Sequence, residues 1–244
     1  MCRQLAYVGP PLPLSQLLLD PPNALVRQAW APQRQSHGVV NADGYGLGWY
    51  ERPGEEPLRH RGAGPVWADE TVAELAASRC VTGALASVRS ATAGTAHGVS
   101  SAMPFRRDRW LFGHNGALHG WPDAAAPLAG RLDVRRLLRL DAMTDAALLW
   151  ALVLDRLDAG DSALSAVGGV VQRAAADCGG RLNLLLTDGE RVVASAWGAS
   201  LSYRQGADGV VVASEPLDDD PGWVDVPDRS LLIADRSAVT VTTL

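Results

Sequence analysis

Two helical segments stand back to back in the middle of this chain, and nearly every other regular segment is short and strand-like. Thr144 is placed to cap a helix running to about residue 157, with Gly160 as its stop. A second helix is expected from Ser162 to about residue 176, ahead of Gly179-Gly180. After it the period changes: apolar runs at residues 182–187, 191–197, 201–204, 209–213 and 231–243 alternate with turn signals such as Asp188-Gly189 and predict an antiparallel meander. Upstream, a strand is expected over residues 2–8 and a short helix over 14–19. A strand within 41–50, a helix over 69–79 capped by Asp69 and a strand over 81–88 follow. A strand over 110–113 then ends in a tight turn at His114-Asn115-Gly116. Helices grouped between two blocks of strands fit α+β layers with antiparallel sheets, against an alternating parallel βαβ sheet.

At 244 residues, with 47% hydrophobic residues, the chain can bury a substantial core, and one compact domain over 1–244 is expected. The net charge is −5 and all 22 basic residues are arginine, without a dense basic run, so the footprint of a nucleic-acid binder is missing. A small neutral or zwitterionic partner is expected, with no nucleic acid, no membrane and the oligomeric state left open. Cys2, Cys80 and Cys178 are odd in number and lack CxxC spacing, which argues against a disulfide framework and fits a reducing cytoplasm. No apolar run resembles a signal peptide or approaches the length of a membrane span.

Cys2 is the first candidate for chemistry. Removal of Met1, giving a mature chain of 2–244, would put a thiol and a free α-amine on one residue: a nucleophile beside a base whose ordinary pKa is about 7.7–8.0. Gly44, Gly46 and Gly48 do not make a phosphate loop, because the turn at Pro53-Gly54 leaves no room for the helix such loops require. His114 and His119 are five apart with Asn-Gly between them and cannot share a helical face, so neither a metal nor any other cofactor is expected. His114 is expected to support the Asn115 turn and His37 to hydrogen-bond near the pocket. No Gly-x-Ser-x-Gly elbow exists for a serine triad.

Cys2, then Val88-Arg89-Ser90-Ala91-Thr92, then Phe112-Gly113-His114-Asn115-Gly116-Ala117-Leu118, then Thr144-Asp145, in this order, closely resemble the class II glutamine amidotransferase domain, the Cys-type N-terminal nucleophile (Ntn) amidohydrolases. The resemblance spans essentially the whole chain and implies a four-layer αββα sandwich. Residues 41–50 and Ser214-Glu215-Pro216-Leu217 narrow it to a stand-alone branch. That branch resembles the ergothioneine-pathway hydrolases that remove γ-glutamate from γ-glutamyl-hercynylcysteine sulfoxide.

The roles the resemblance implies have physical counterparts. Cys2 attacks the γ-glutamyl carbonyl. Asn115, through its side-chain amide, and Gly116, through its backbone N–H, hold the oxyanion, although an ordinary Asn-Gly hairpin turn would use the same two residues. Arg89 grips the glutamate α-carboxylate with its planar fork, and Thr92 adds a polar contact. Asp145 binds the α-ammonium while also complementing a helix dipole. Arg3 either contacts the leaving side of the substrate or forms a structural pair. Ser90 and Ala93 stand where many members carry Trp and His, which points away from glutamine as the substrate. The alternatives are a glutaminase subunit feeding a separate synthase, or an inactive γ-glutamyl-binding member. Among Trp49, Tyr50, Trp67, Trp110, Trp121 and Trp223, most are expected in the core, with one or two as a cation–π wall for a trimethylammonium group.

Overall fold

The computed structural model describes residues 2–36, 38–92 and 94–244. Its strands are β1 (Arg3–Pro13), β2 (Tyr45–Tyr50), β3 (Leu58–Gly62), β4 (Cys80–Val88), β5 (Phe105–Arg107), β6 (Trp110–Leu118) and β7 (Gly180–Thr187). They continue with β8 (Val192–Ala196), β9 (Ser202–Gly206), β10 (Gly209–Ala213), β11 (Trp223–Asp225), β12 (Ser230–Ala234) and β13 (Val239–Thr243). One sheet has the order β11-β9-β10-β1-β4-β2-β3 and the other β13-β12-β8-β7-β6-β5, with antiparallel neighbours throughout.

The two sheets stack face to face, and side chains alternate between their two sides. In β1, Ala6 and Val8 enter the core between the sheets with Leu85, Leu111, Leu185 and Val212. Leu5 and Tyr7 point the other way, into a layer under the short helices Ser15–Leu18, Leu25–Gln28 and Glu70–Ser78. On the far side of the second sheet, Phe112, Leu184 and Leu186 pack against Leu149, Val153, Val167 and Val171 of the helices Asp145–Asp158 and Ala163–Asp177. The result is the αββα sandwich. Strands apolar on both faces are what a sheet covered on both sides requires. Glycines set how closely the sheets approach: a Cβ at Gly48 would lie 2.6 Å from Leu111 Cδ1, and one at Gly46 only 2.2 Å from the Met103 carbonyl oxygen.

Both long helices start where expected. Thr144 Oγ1 accepts from the Ala147 N–H, and Ser162 Oγ accepts from Ser165. Two expectations are corrected. The run after residue 182 is not one meander: β7, β8, β12 and β13 belong to one sheet, while β9, β10 and β11 cross to the other. Local periodicity carries no information about which sheet a strand joins. Nor do His114-Asn115-Gly116 form a hairpin turn, because β6 continues through them to Leu118, with Asn115 opposite Asn183 and Gly116 opposite Leu182. A β7 partner more than sixty residues away overrides the local turn preference of Asn-Gly. Among the described residues, no helix is long and apolar enough to cross a membrane.

Candidate active site

Cys2 precedes the first paired residue of β1, where Arg3 lies opposite Val88 at the end of β4. That register sets the thiol beside the segment leaving β4, with Sγ 3.9 Å from the Ser90 carbonyl oxygen. The residue is 6% exposed. Burial pushes the Cys2 thiol above its ordinary range; the hydrogen bond to Ser90 and the positive Arg89 oppose the rise, and Asp145 adds to it. A thiol in that state keeps its proton at neutrality and needs a base to remove it. Met1 lies outside the described residues, as do His37 and Ala93.

A small cavity opens at the sulfur. Cys2, Arg89, Ser90, Thr92, His114, Gly116, Thr144 and Asp145 are among its walls. Arg89, 5% exposed, is held by three acceptors. Nη1 donates to the Asp43 carbonyl at 3.3 Å, and Nη2 donates to Thr95 Oγ1 at 3.1 Å and to the Ala96 carbonyl at 2.9 Å. Thr95 in turn donates to the Thr92 carbonyl at 2.6 Å, closing the loop around the cation. All three acceptors are neutral, and N–H groups remain on Nε and Nη1 for a carboxylate.

Asp145 is the first residue of its helix and 5% exposed. One carboxylate oxygen accepts from the Ala146 N–H at 2.9 Å and the other from the Leu118 N–H at 3.0 Å, which ties the helix to the end of β6. With about two acceptor sites left, the same carboxylate can still receive an ammonium. A cation holder and an anion holder thus flank one thiol, an arrangement suited to a zwitterionic amino-acid head.

Gly116 lies on the wall, and an added Cβ would meet the Arg181 carbonyl oxygen at 1.8 Å, so only glycine fits this contact with β7. Asn115 is wholly buried beside it; its Nδ2 is 3.4 Å from Ser214 Oγ, and its Oδ1 has no partner. His114 Nε2 lies 3.0 Å from the Arg181 carbonyl and pins β6 to β7. Among the described residues, no group of three or more His, Cys, Asp or Glu side chains converges as metal ligands do.

Arg3 is placed away from this cavity. It is wholly buried, Nε donates to the Cys2 carbonyl at 2.8 Å, and Nη1 faces Glu215 Oε2 at 3.5 Å. Glu215 also accepts from Asn23 Nδ2 at 3.2 Å, the Gln33 N–H at 2.9 Å and the Arg34 N–H at 2.7 Å. The substrate-contact reading of Arg3 therefore gives way to the structural pair, since a buried guanidinium takes the nearest carboxylate. Among the described residues, no Trp, Tyr or Phe lines the cavity. Trp223 and Trp110 instead face the protein's own Arg204 and Arg109, and Trp67 pairs edge-on with Trp30. Sequence reasoning passed over Asp43, Thr95 and Ser214 as site residues. Asp43 and Ser214 fall in the two runs that narrowed the resemblance, which marked the branch without giving either residue a role; Thr95 carried no signal.

Fold and site together define an Ntn-type amidohydrolase sandwich with its cysteine at the head of a central strand. Residues 24–205 match the family of class-II glutamine amidotransferases, and the chain belongs to that family. Proteins named gamma-glutamyl-hercynylcysteine sulfoxide hydrolase are 42% identical in Mycobacterium tuberculosis, over 100% of this chain and 97% of the relative. In Mycolicibacterium smegmatis the identity is 41%, over the whole of both chains. A probable glutamine amidotransferase of Saccharomyces cerevisiae is 25% identical over 98% of this chain and 83% of its own. The fold matches a class-II glutamine aminotransferase domain protein of Silicibacter pomeroyi, with a TM-score of 0.69 and 22% identity over 99% of both chains.

Proposed function

We propose that this chain is an amidohydrolase that cleaves γ-glutamyl-hercynylcysteine sulfoxide into glutamate and hercynylcysteine sulfoxide, a step of ergothioneine biosynthesis. The observation that carries the reading is the buried Cys2 in one cavity with Arg89 and Asp145, in a chain collinear with relatives named for that hydrolysis. Residues 2–244 act as one class-II amidotransferase-type domain, with Met1 removed, in the cytoplasm.

Arg89 and Thr92 bind the α-carboxylate of the γ-glutamyl group and Asp145 its α-ammonium, which sets the γ-carbonyl before the sulfur. The Cys2 α-amine, directly or through a water, takes the thiol proton as sulfur attacks. The oxyanion collects hydrogen bonds from Asn115 and from the Gly116 N–H. Collapse expels the leaving amine, which takes back the proton and leaves a γ-glutamyl thioester on Cys2. Water, deprotonated by the same α-amine, attacks the thioester, and glutamate departs as the thiol is restored.

Intact-mass measurement during turnover tests the scheme. A γ-glutamyl adduct on Cys2, loss of Met1, and no turnover by Cys2→Ala are expected. Substantial hydrolysis by Cys2→Ala would refute it, and glutamine turnover equal to that of the sulfoxide substrate would favour the glutaminase alternative.

A further inference from the structure

Hydrogen-bond accounting around Asn115 leaves two needs unmet, and one rotation meets both. Ser214 follows the last paired residue of β10, and its N–H donates to the Gln4 carbonyl at 2.9 Å. The Gln4 N–H returns a bond of 3.0 Å to Ser214 Oγ. With that lone pair taken by a backbone donor, the hydroxyl still carries one proton to place. The other group at hand is the Asn115 amide at 3.4 Å. With Nδ2 turned toward Ser214, the amide donates to the hydroxyl's second lone pair, the hydroxyl proton is left without an acceptor on Asn115, and Asn115 Oδ1 is left buried without a partner. An orphaned buried acceptor costs about 1–3 kcal/mol.

Turning the amide by 180° changes both ends. Oδ1 then accepts the Ser214 hydroxyl proton, and Nδ2 becomes the free end. For a residue that holds an oxyanion, the free end must be the donor, since a carbonyl oxygen there would repel the charge that develops. At 3.4 Å the spacing is longer than an O–H···O bond of about 2.5–3.0 Å, so the bond requires the two side chains to approach by a few tenths of an ångström.

We infer that Ser214 is a positioning residue of the oxyanion hole: its hydroxyl fixes the rotamer of the Asn115 amide so that Nδ2 points at the reacting carbonyl oxygen. The inference rests on the γ-glutamyl hydrolase reading. It adds a residue from the far end of the chain, joined to the nucleophile's strand through Gln4 and to the oxyanion donor through its own proton.

A double-mutant cycle on the full chain tests it. Asn115→Ala should lower kcat about 10²–10³-fold, as loss of one oxyanion donor does. Ser214→Ala should lower kcat about 10–100-fold with KM within threefold, because glutamate binding by Arg89 and Asp145 is untouched. The Ser214→Ala/Asn115→Ala double variant should be no slower than Asn115→Ala within threefold, because Ser214 acts only through that amide. Cys2 alkylation by iodoacetamide, which needs no oxyanion hole, should keep its parent rate in Ser214→Ala. Multiplying effects in the double variant, or a matching fall in alkylation, would overturn the inference and assign Ser214 a role through the Gln4 strand alone. Near-parent kcat in Asn115→Ala would overturn the oxyanion assignment and this inference with it, whereas inert Cys2 in the parent would overturn the hydrolase reading itself. Should Ser214→Ala not fold, Ser214→Cys, a poor donor of similar shape, completes the same cycle.

Discussion

Replacing Glu215 by glutamine removes a single negative charge and is expected to be among the most damaging changes available outside the hydrophobic core. The carboxylate and Arg3 are both shut off from solvent, and four donors converge on its two oxygens. Burial draws the Arg3 guanidinium below its ordinary range, and the Glu215 charge opposes that pull. An amide keeps one accepting oxygen and turns an NH2 group toward two of the four donors, while Arg3 loses its only charge partner among the described residues. Stranding a buried charge in this way costs about 3–5 kcal/mol. For a chain of this size, each kcal/mol lowers the melting temperature by about 2–4 °C, so Glu215→Gln should melt about 6–20 °C below the parent. Arg3→Met should fall less, since Glu215 keeps its contacts with Asn23, Gln33 and Arg34. Thermal unfolding followed by circular dichroism reads both. A Glu215→Gln variant melting within 2 °C of the parent, or Arg3→Met falling further than it, would refute the reasoning.

Gly116→Ala should fold poorly or lose β6–β7 pairing, because its Cβ would overlap the Arg181 carbonyl; soluble yield and amide exchange at Leu182 measure this. Asp145→Asn should raise KM at least tenfold by removing the charge proposed to meet the ammonium, with a smaller change in kcat, read from initial rates. The rate constant kcat/KM should rise with pH through an apparent pKa of about 7–8, because below it the α-amine holds a proton and cannot accept one from a thiol that burial keeps protonated; a profile flat from pH 6 to 9 would exclude the amine as base. The Tyr45 hydroxyl is the first cause holding the Asp69 carboxyl down at about 2; burial opposes it, and weaker bonds from Thr71 and His60 add to the lowering. A depressed carboxyl contributes stability above its unfolded pKa of about 3.9 and loses it as pH falls through the folded value. Tyr45→Phe should therefore narrow the parent's advantage in acid melts between pH 2 and 4.

The residues proposed to do chemistry were legible as candidates because each lies where an element begins or ends. Cys2 opens β1, Arg89 follows β4 and Asp145 opens a helix, and such boundaries are marked by caps and changes of period. Asn115 and Gly116 stood out as candidates but were misplaced as structure, since only pairing with distant β7 keeps them extended. For Arg3 the sequence left two readings open, contact with the leaving side or a structural pair, and alternation along a strand decides between them by sending its side chain to Glu215. Ser214 had no local signature of a role, because its meaning comes from standing between Gln4 and Asn115. The short strands β3, β5 and β11 and the small helices 25–28, 126–129 and 134–137 have too few residues to show a period.

β1 sits between β4 and β10, so the nucleophile's strand acquires its two neighbours at very different points in the chain: Leu5 pairs with Ala86 and also with Ala213. A ribosome delivers the first neighbour early and the second near the end of synthesis. Until residues 209–215 dock, β1 is an open edge, and neither Ser214 nor Glu215 supports the cysteine. Contacts of such sequence separation form late and slowly. In a refolding experiment, hydrolytic competence should therefore appear with the last phase of β-sheet signal, after most helical signal has returned. The cysteine is the first functional group to be synthesised and the last to become useful.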